Sequence, residues 1–231
     1  MRIVNFVKKT FWVLRRILRL TPTHSVMRSL RRRGVKLKSL RALELFGGYG
    51  DMTTRDYAPY VGSLEIWEIN PDCEIALRKA FPYATIRITD SFEEIKRTPK
   101  KFDMVVADAW AGMFNDHCEH FELFPDVFRI LSQSSILILN VIPEARRLSP
   151  KHAERRCAFY QVKDPTRIPL EVMVERYKAF AEECGFQVQW WFYKDRYFMY
   201  PLRRKWLKKR LGFLVLKLQA ISESHWQNKG E

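Results

Sequence analysis

Between Ala42 and Ile142 short apolar runs alternate with helical patterns, and that alternation limits the fold more than any other feature of the chain. Leu43–Phe46, Ser63–Ile69, Thr85–Ile88, Phe102–Ala107 and Ser135–Ile142 are four to eight residues long and read as buried strands. Helix signals separate them. Asp51 to Thr54 offer capping oxygens, Pro71 opens a helix running through Phe81, and Phe121 to Leu131 reads as a further helix. Strand, helix and strand at this spacing imply βαβ units, a parallel sheet and right-handed crossovers. Beyond them Leu170 to Cys184 is a helix stopped by Gly185, while Phe186–Tyr193 and Arg210–Leu218 are strands that pair antiparallel at the sheet edge. Pro143 to Pro169 is polar, basic and irregular, interrupted by Pro150 and Pro165, which suits a substrate-side insertion or lid.

Such sheets take ligands beyond the carboxyl ends of their strands. Here acids gather near those ends: Glu44 in the first run, Glu68 in the second, Asp90 after the third and Asp108 after the fourth. The first run also breaks into Gly47, Gly48, Tyr49 and Gly50, where missing Cβ atoms let the backbone turn tightly and approach a ligand. Taken singly, each acid reads first as a capping or surface residue, and the glycine turn is equally a connection. Their order along the chain argues for a site.

The formal net charge of +15 is carried by two segments. Residues 1–41 hold 13 Lys+Arg and no acid, and residues 194–217 hold nine Lys+Arg against one acid, whereas residues 42–193 are mildly acidic. Within Met1 to Leu20, Ile3, Val7, Phe11, Leu14 and Leu18 recur on one side and Lys8, Lys9, Arg15, Arg16 and Arg19 on the other, the pattern of a basic amphipathic helix. Charges interrupt every apolar run there, so neither a membrane span nor a signal peptide is expected. Docking on the domain ranks first for this helix, an anionic membrane surface second and nucleic acid third. Thr21 to Gly34 is a second basic segment. The chain accordingly divides into a helical extension, 1–38, and a domain, 39–231. Four scattered cysteines without a CxxC pair suggest neither disulfides nor a zinc ribbon, so the expected compartment is the cytoplasm, with peripheral membrane attachment an open alternative.

Glycine turn, Glu68, Asp90 and Asp108 in this order resemble the class I S-adenosylmethionine-dependent methyltransferases, over about residues 40–142. The resemblance implies an α/β, Rossmann-like, doubly wound and mostly parallel sheet with an antiparallel C-terminal hairpin, here preceded by basic helices. The family's first turn reads acid-x-Gly-x-Gly-x-Gly; Glu44 to Gly50 keep the acid and the last two glycines, with Phe46 in place of the first. By that likeness Glu44, Gly47, Gly48, Tyr49 and Gly50 hold the methionine end, Glu68 accepts from both ribose hydroxyls, Ile69 lies on the adenine, and Asp90 and Ser91 meet the adenine edge.

EINPD at 68–72 and FDMVVADAW at 102–110 look like catechol O-methyltransferase, in which acids after the fourth and fifth strands hold magnesium. Asp108 and Asn140 match that set, but Leu139 replaces its second acid and supplies no oxygen, so no metal is expected. FDMVVADAW also resembles the aminopropyltransferases, whose polyamine sites are acidic. Asn115 to Glu122, NDHCEHFE, reads as a capped helix start or as a His117 and His120 cluster, with His117 a candidate base. Asp108 and His117 are thus the candidate catalytic residues. The expected function is methyl transfer to an oxygen or nitrogen of a small molecule or glycan, at a membrane surface if the basic ends bind one. The alternatives are an RNA methyltransferase gripping phosphates with those ends, although Asp108-Ala109-Trp110-Ala111 replaces the Asp/Asn-Pro-Pro-Tyr/Phe signature of many base methyltransferases, an aminopropyltransferase, and a non-catalytic binding protein.

Overall fold

A computed structural model of the chain describes residues 16–50, 53–108, 117, 119–145, 148–196 and 209–221, with 209 and 210 described by their backbone alone. Among these residues seven strands form one sheet: β1 (Arg41–Glu44), β2 (Ser63–Glu68), β3 (Thr85–Ile88), β4 (Phe102–Ala107), β5 (Leu131–Ala145), β6 (Phe186–Asp195) and β7 (Lys209–Ala220). Their order is β3-β2-β1-β4-β5-β7-β6. The first five run parallel. β7 is antiparallel to both its neighbours. The expected hairpin is present, but its second strand enters the sheet and its first forms the edge. β1 and β4 lie side by side at the centre, the point where the strand order reverses and where α/β sheets bind ligands.

Helices cover both faces, as the apolar runs require. One face packs Val26, Met27 and Leu30 of α1 (Pro22–Arg32), Tyr57 of α2 (Thr54–Tyr57) and Leu77 of α3 (Glu74–Ala80) against Ile66, Val106, Ile138 and Val215. The other packs Ile95 of α4 (Ser91–Arg97), Val127 and Phe128 of α5 (Asp126–Arg129), Tyr160 of α6 (Pro150–Tyr160) and Met173, Val174, Tyr177 and Ala181 of α7 (Leu170–Glu183) against Leu43, Val105, Leu137, Leu139 and Leu214. Each large apolar side chain so buried contributes about 1.5–3 kcal/mol.

α1 follows from its caps: the Thr21 hydroxyl accepts from the His24 amide at 3.2 Å, Pro22 needs no partner at the first turn, and Gly34 leaves the helix at φ +79°. Its three apolar residues are at most 1% exposed, so this part of the basic segment is woven into the core. Upstream, Arg16 donates to the buried Asp56. Residues 1–15 of the expected amphipathic helix lie outside the described residues.

Two expectations are corrected. A single helix over 121–131 does not form: a 3₁₀ turn, His120–Leu123, gives way to extended backbone at Phe124, then α5, and Leu131 already belongs to β5. Pro125 explains the break, since it disfavours helical geometry at the residue before it. The polar stretch 143–169 is not irregular throughout. Its middle is α6, whose Ser149 cap accepts from the His152 amide at 3.2 Å, with Pro150 at the first turn. The helix was hidden because two of its three buried positions, His152 and Arg156, are polar and break the apolar period.

Candidate active site

The glycine turn occupies the carboxyl end of β1 for reasons of space. A Cβ on Gly47 would lie 2.4 Å from Ile66 Cγ2, and one on Gly50, at φ +66°, would lie 2.3 Å from the Phe81 ring. Gly48 differs: its φ is +50°, and a Cβ there would meet no heavy atom within 4 Å. Its amide donates to Glu68 Oε2 at 2.6 Å, while Glu68 Oε1 accepts from the Asn70 amide at 2.8 Å. Glu68 therefore ties the turn to the end of β2. Tyr49 and Ile69 project outward, 55% and 43% exposed.

Glu44 ends β1 and is 1% exposed. Its Oε2 accepts from Tyr57 Oη at 2.7 Å and Thr54 Oγ1 at 3.2 Å, whereas Oε1 is buried without a hydrogen bond. Burial, reinforced by the nearby Asp108, raises this carboxyl well above the usual range and favours its neutral form. Asp108, just past β4, accepts from Thr53 Oγ1 and from Arg196 at the end of β6. The Arg196 guanidinium lies 4.5 Å from the Phe213 ring centre.

The remaining candidates spend their side chains locally. Asp90 caps α4, accepting from the Phe92 amide at 2.9 Å, and the buried Ser91 hydroxyl donates to the Leu45 carbonyl. His117 lies flat on Phe92, ring centres 3.5 Å apart at 8°, with Nδ1 2.9 Å from Glu122 Oε2. His120 takes a separate path: it is fully buried, its Nε2 2.6 Å from Tyr177 Oη, and burial pulls its pKa down to about 4. The two histidines thus have different partners, and no metal-ligating cluster occurs among the described residues. Asn115 and Asp116, the suggested caps, lie outside them.

The geometry therefore gathers Glu44, the glycine turn, Glu68 and Asp108 at the switch point, with Asp90, Ser91 and His117 over the first turn of α4. Sequence reading missed Thr53, Tyr57, Arg196, Glu122 and Arg155. Only the capping signal near Thr53 and the NDHCEHFE stretch ending in Glu122 hinted at any of them; Arg196 is 88 positions from Asp108.

The site has what a bound S-adenosylmethionine requires: a buried carboxylate oxygen lacking a partner, a turn residue with open space where a side chain would be, and an acid at the end of β2. No helix among the described residues is long and apolar enough to cross a membrane.

No protein-family model matches the chain, and no curated protein matches its sequence. Solved structures do. TYW2 from M. jannaschii, in complex with AdoMet, aligns at TM-score 0.53 and 13% identity over 85% of this chain and 76% of that one. PH1948 from Pyrococcus horikoshii, described as a candidate RNA methyltransferase, aligns at 0.51 and 13% over 87% and 83%. A candidate sarcosine dimethylglycine methyltransferase from Galdieria sulphuraria aligns at 0.54 and 14% over 84% of each chain. The fold is that of the class I methyltransferases.

Proposed function

We propose that this chain is an S-adenosylmethionine-dependent methyltransferase acting on a hydroxyl or amine of a small molecule or glycan. The observation that carries the reading is Glu44 Oε1 at the end of β1, a buried oxygen without a hydrogen bond, followed in the chain by a turn whose Gly48 has open space where a Cβ would lie. When bound, S-adenosylmethionine supplies a methyl group already activated on a sulfonium. What remains for the chain is to hold, align and take up a proton. Glu44 receives the ammonium, which favours the ionised carboxylate that burial alone disfavours. Glu68 turns from backbone amides toward the ribose hydroxyls, and Ile69 lies along the adenine beside Asp90 and Ser91. Asp108, neutralised by Arg196, orders the acceptor side, leaving His117 as the proton acceptor. That same pairing disfavours an aminopropyltransferase, because a polyamine would meet Arg196 where it needs an acid.

RNA is the second reading. Arg31, Arg32 and Lys36 are exposed and have no acidic partner among the described residues, and a structural neighbour is described as a candidate RNA methyltransferase. Exposed Ile17 and Leu18 beside Arg19 are what supports contact with an anionic membrane surface.

Calorimetry with S-adenosylmethionine tests the reading: the wild type binds and Glu68→Ala does not. Well-folded wild type that shows no heat of binding would remove the enzyme from consideration.

A further inference from the structure

Resting on the methyltransferase reading, we propose that Glu122 is a positioning residue that makes His117 Nε2 the proton-accepting atom, and that Arg155 on α6 holds Glu122 in place. His117 Nδ1 lies 2.9 Å from Glu122 Oε2, and Arg155 Nη1 donates to the other oxygen, Oε1. A carboxylate only accepts, so the ring nitrogen facing it carries the proton and Nε2 keeps its lone pair. Nε2 makes no hydrogen bond among the described residues, and the His117 side chain is 40% exposed, so an acceptor can reach it. The Phe92 ring, stacked at 3.5 Å, fixes the imidazole plane over the first turn of α4.

The support behind this pair is deliberate in its chemistry. His152 Nε2 lies 2.7 Å from Glu119 Oε1, and Arg156 donates to the same oxygen and, at 2.7 Å, to the Ile142 carbonyl at the end of β5. One face of α6 thus clamps two acids of the segment after β4. Glu119 anchors the segment in the core; Glu122, 15% exposed, faces the site side through His117. Neighbouring His120 is no rival for the role, being buried and bonded to Tyr177.

In the transfer the acceptor's O–H or N–H bond breaks toward the acceptor atom, which gains the methyl carbon as the donor's C–S bond breaks toward sulfur. The proton passes to Nε2, the donor leaves as a neutral thioether, and the imidazolium, paired with Glu122, returns its proton to water. The acceptor this selects is one that must shed a proton, such as a hydroxyl or protonated amine, rather than an aromatic ring nitrogen with a free lone pair, which needs no base.

Long-range proton–nitrogen correlation on the full chain labelled at its five histidines reads the tautomer directly, with His117→Gln identifying the signal. At pH 8 the wild type shows His117 protonated at Nδ1. Glu122→Ala returns the ring to the Nε2-protonated form that free imidazole side chains prefer, whereas Glu122→Gln, whose amide oxygen still accepts, keeps the Nδ1 proton. Arg155 is 34% exposed and stays solvated in either variant, so the fold tolerates both. With labelled cofactor and a panel of hydroxyl and amine acceptors, Glu122→Ala lowers transfer at least about tenfold while cofactor affinity holds within about twofold. An Nε2 proton in the wild type, or a tautomer unmoved by Glu122→Ala, overturns the pair. Absent cofactor binding overturns the methyltransferase reading instead and leaves the tautomer result standing.

Discussion

Glu44→Gln offers a direct check on the buried carboxyl at the switch point. The amide oxygen can still accept from Tyr57 and Thr54, so the packing is kept and only the ionisable group is lost. Burial raises the wild-type carboxyl well above its ordinary value near ~4.3. A group that binds its proton more tightly when folded adds stability that is complete below the unfolded pKa and is lost as pH rises toward the folded one. The wild type therefore loses up to about 1.4 kcal/mol per pH unit on going upward from the usual carboxylate range, and the glutamine variant does not. For a chain of this size that is roughly 3–5 °C in Tm per unit. Scanning calorimetry of both proteins from pH 4 to 8 without cofactor shows the variant gaining on the wild type as pH rises. Adding saturating S-adenosylmethionine then raises the wild type more than the variant, because the ammonium favours the ionised form. A gap between the two melting curves that stays flat across this range would refute both the burial argument and the role given to Oε1.

The glycine turn separates packing from ligand space: Gly47→Ala destabilises by about 1–3 kcal/mol through its clash with Ile66, as measured by urea denaturation. Gly48→Ala costs only about 1–2 kcal/mol for its positive φ yet loses most cofactor affinity by calorimetry. Arg156→Met strands the buried Glu119 and costs about 3–5 kcal/mol, and the double variant Arg156→Met, Glu119→Leu recovers much of that loss in the same denaturation assay. Replacing Arg31, Arg32 and Lys36 together by Ala weakens salt-sensitive RNA retention if the second reading holds, and leaves sedimentation with anionic liposomes unchanged; no effect on RNA sinks that reading.

Much of the fold was legible because parallel strands are buried on both faces and announce themselves as continuous apolar runs. Phe102–Ala107 matches β4 residue for residue for that reason, while Thr85–Ile88 matches the edge strand β3, in which only Ile86 is buried. Failure came where polar groups are buried. His152 and Arg156 concealed α6, and Pro125 divided a stretch whose composition reads as one helix.

Gly47 to Gly50, Glu44, Glu68 and Asp108 could be read as a candidate site from the sequence alone, since strand ends of a βαβ sheet must converge at one edge and chain order locates them there. Which charges neutralise which could not. Arg196 meets Asp108 only because β6 runs parallel to β4 and ends at the same edge, and Arg155 meets Glu122 only because α6 packs beside the segment after β4. Local periodicity encodes an element and its buried side, but a side-chain contact depends on the three-dimensional path between elements. Here that path decided that Asp108 is paired with Arg196 and that His117 is paired with Glu122.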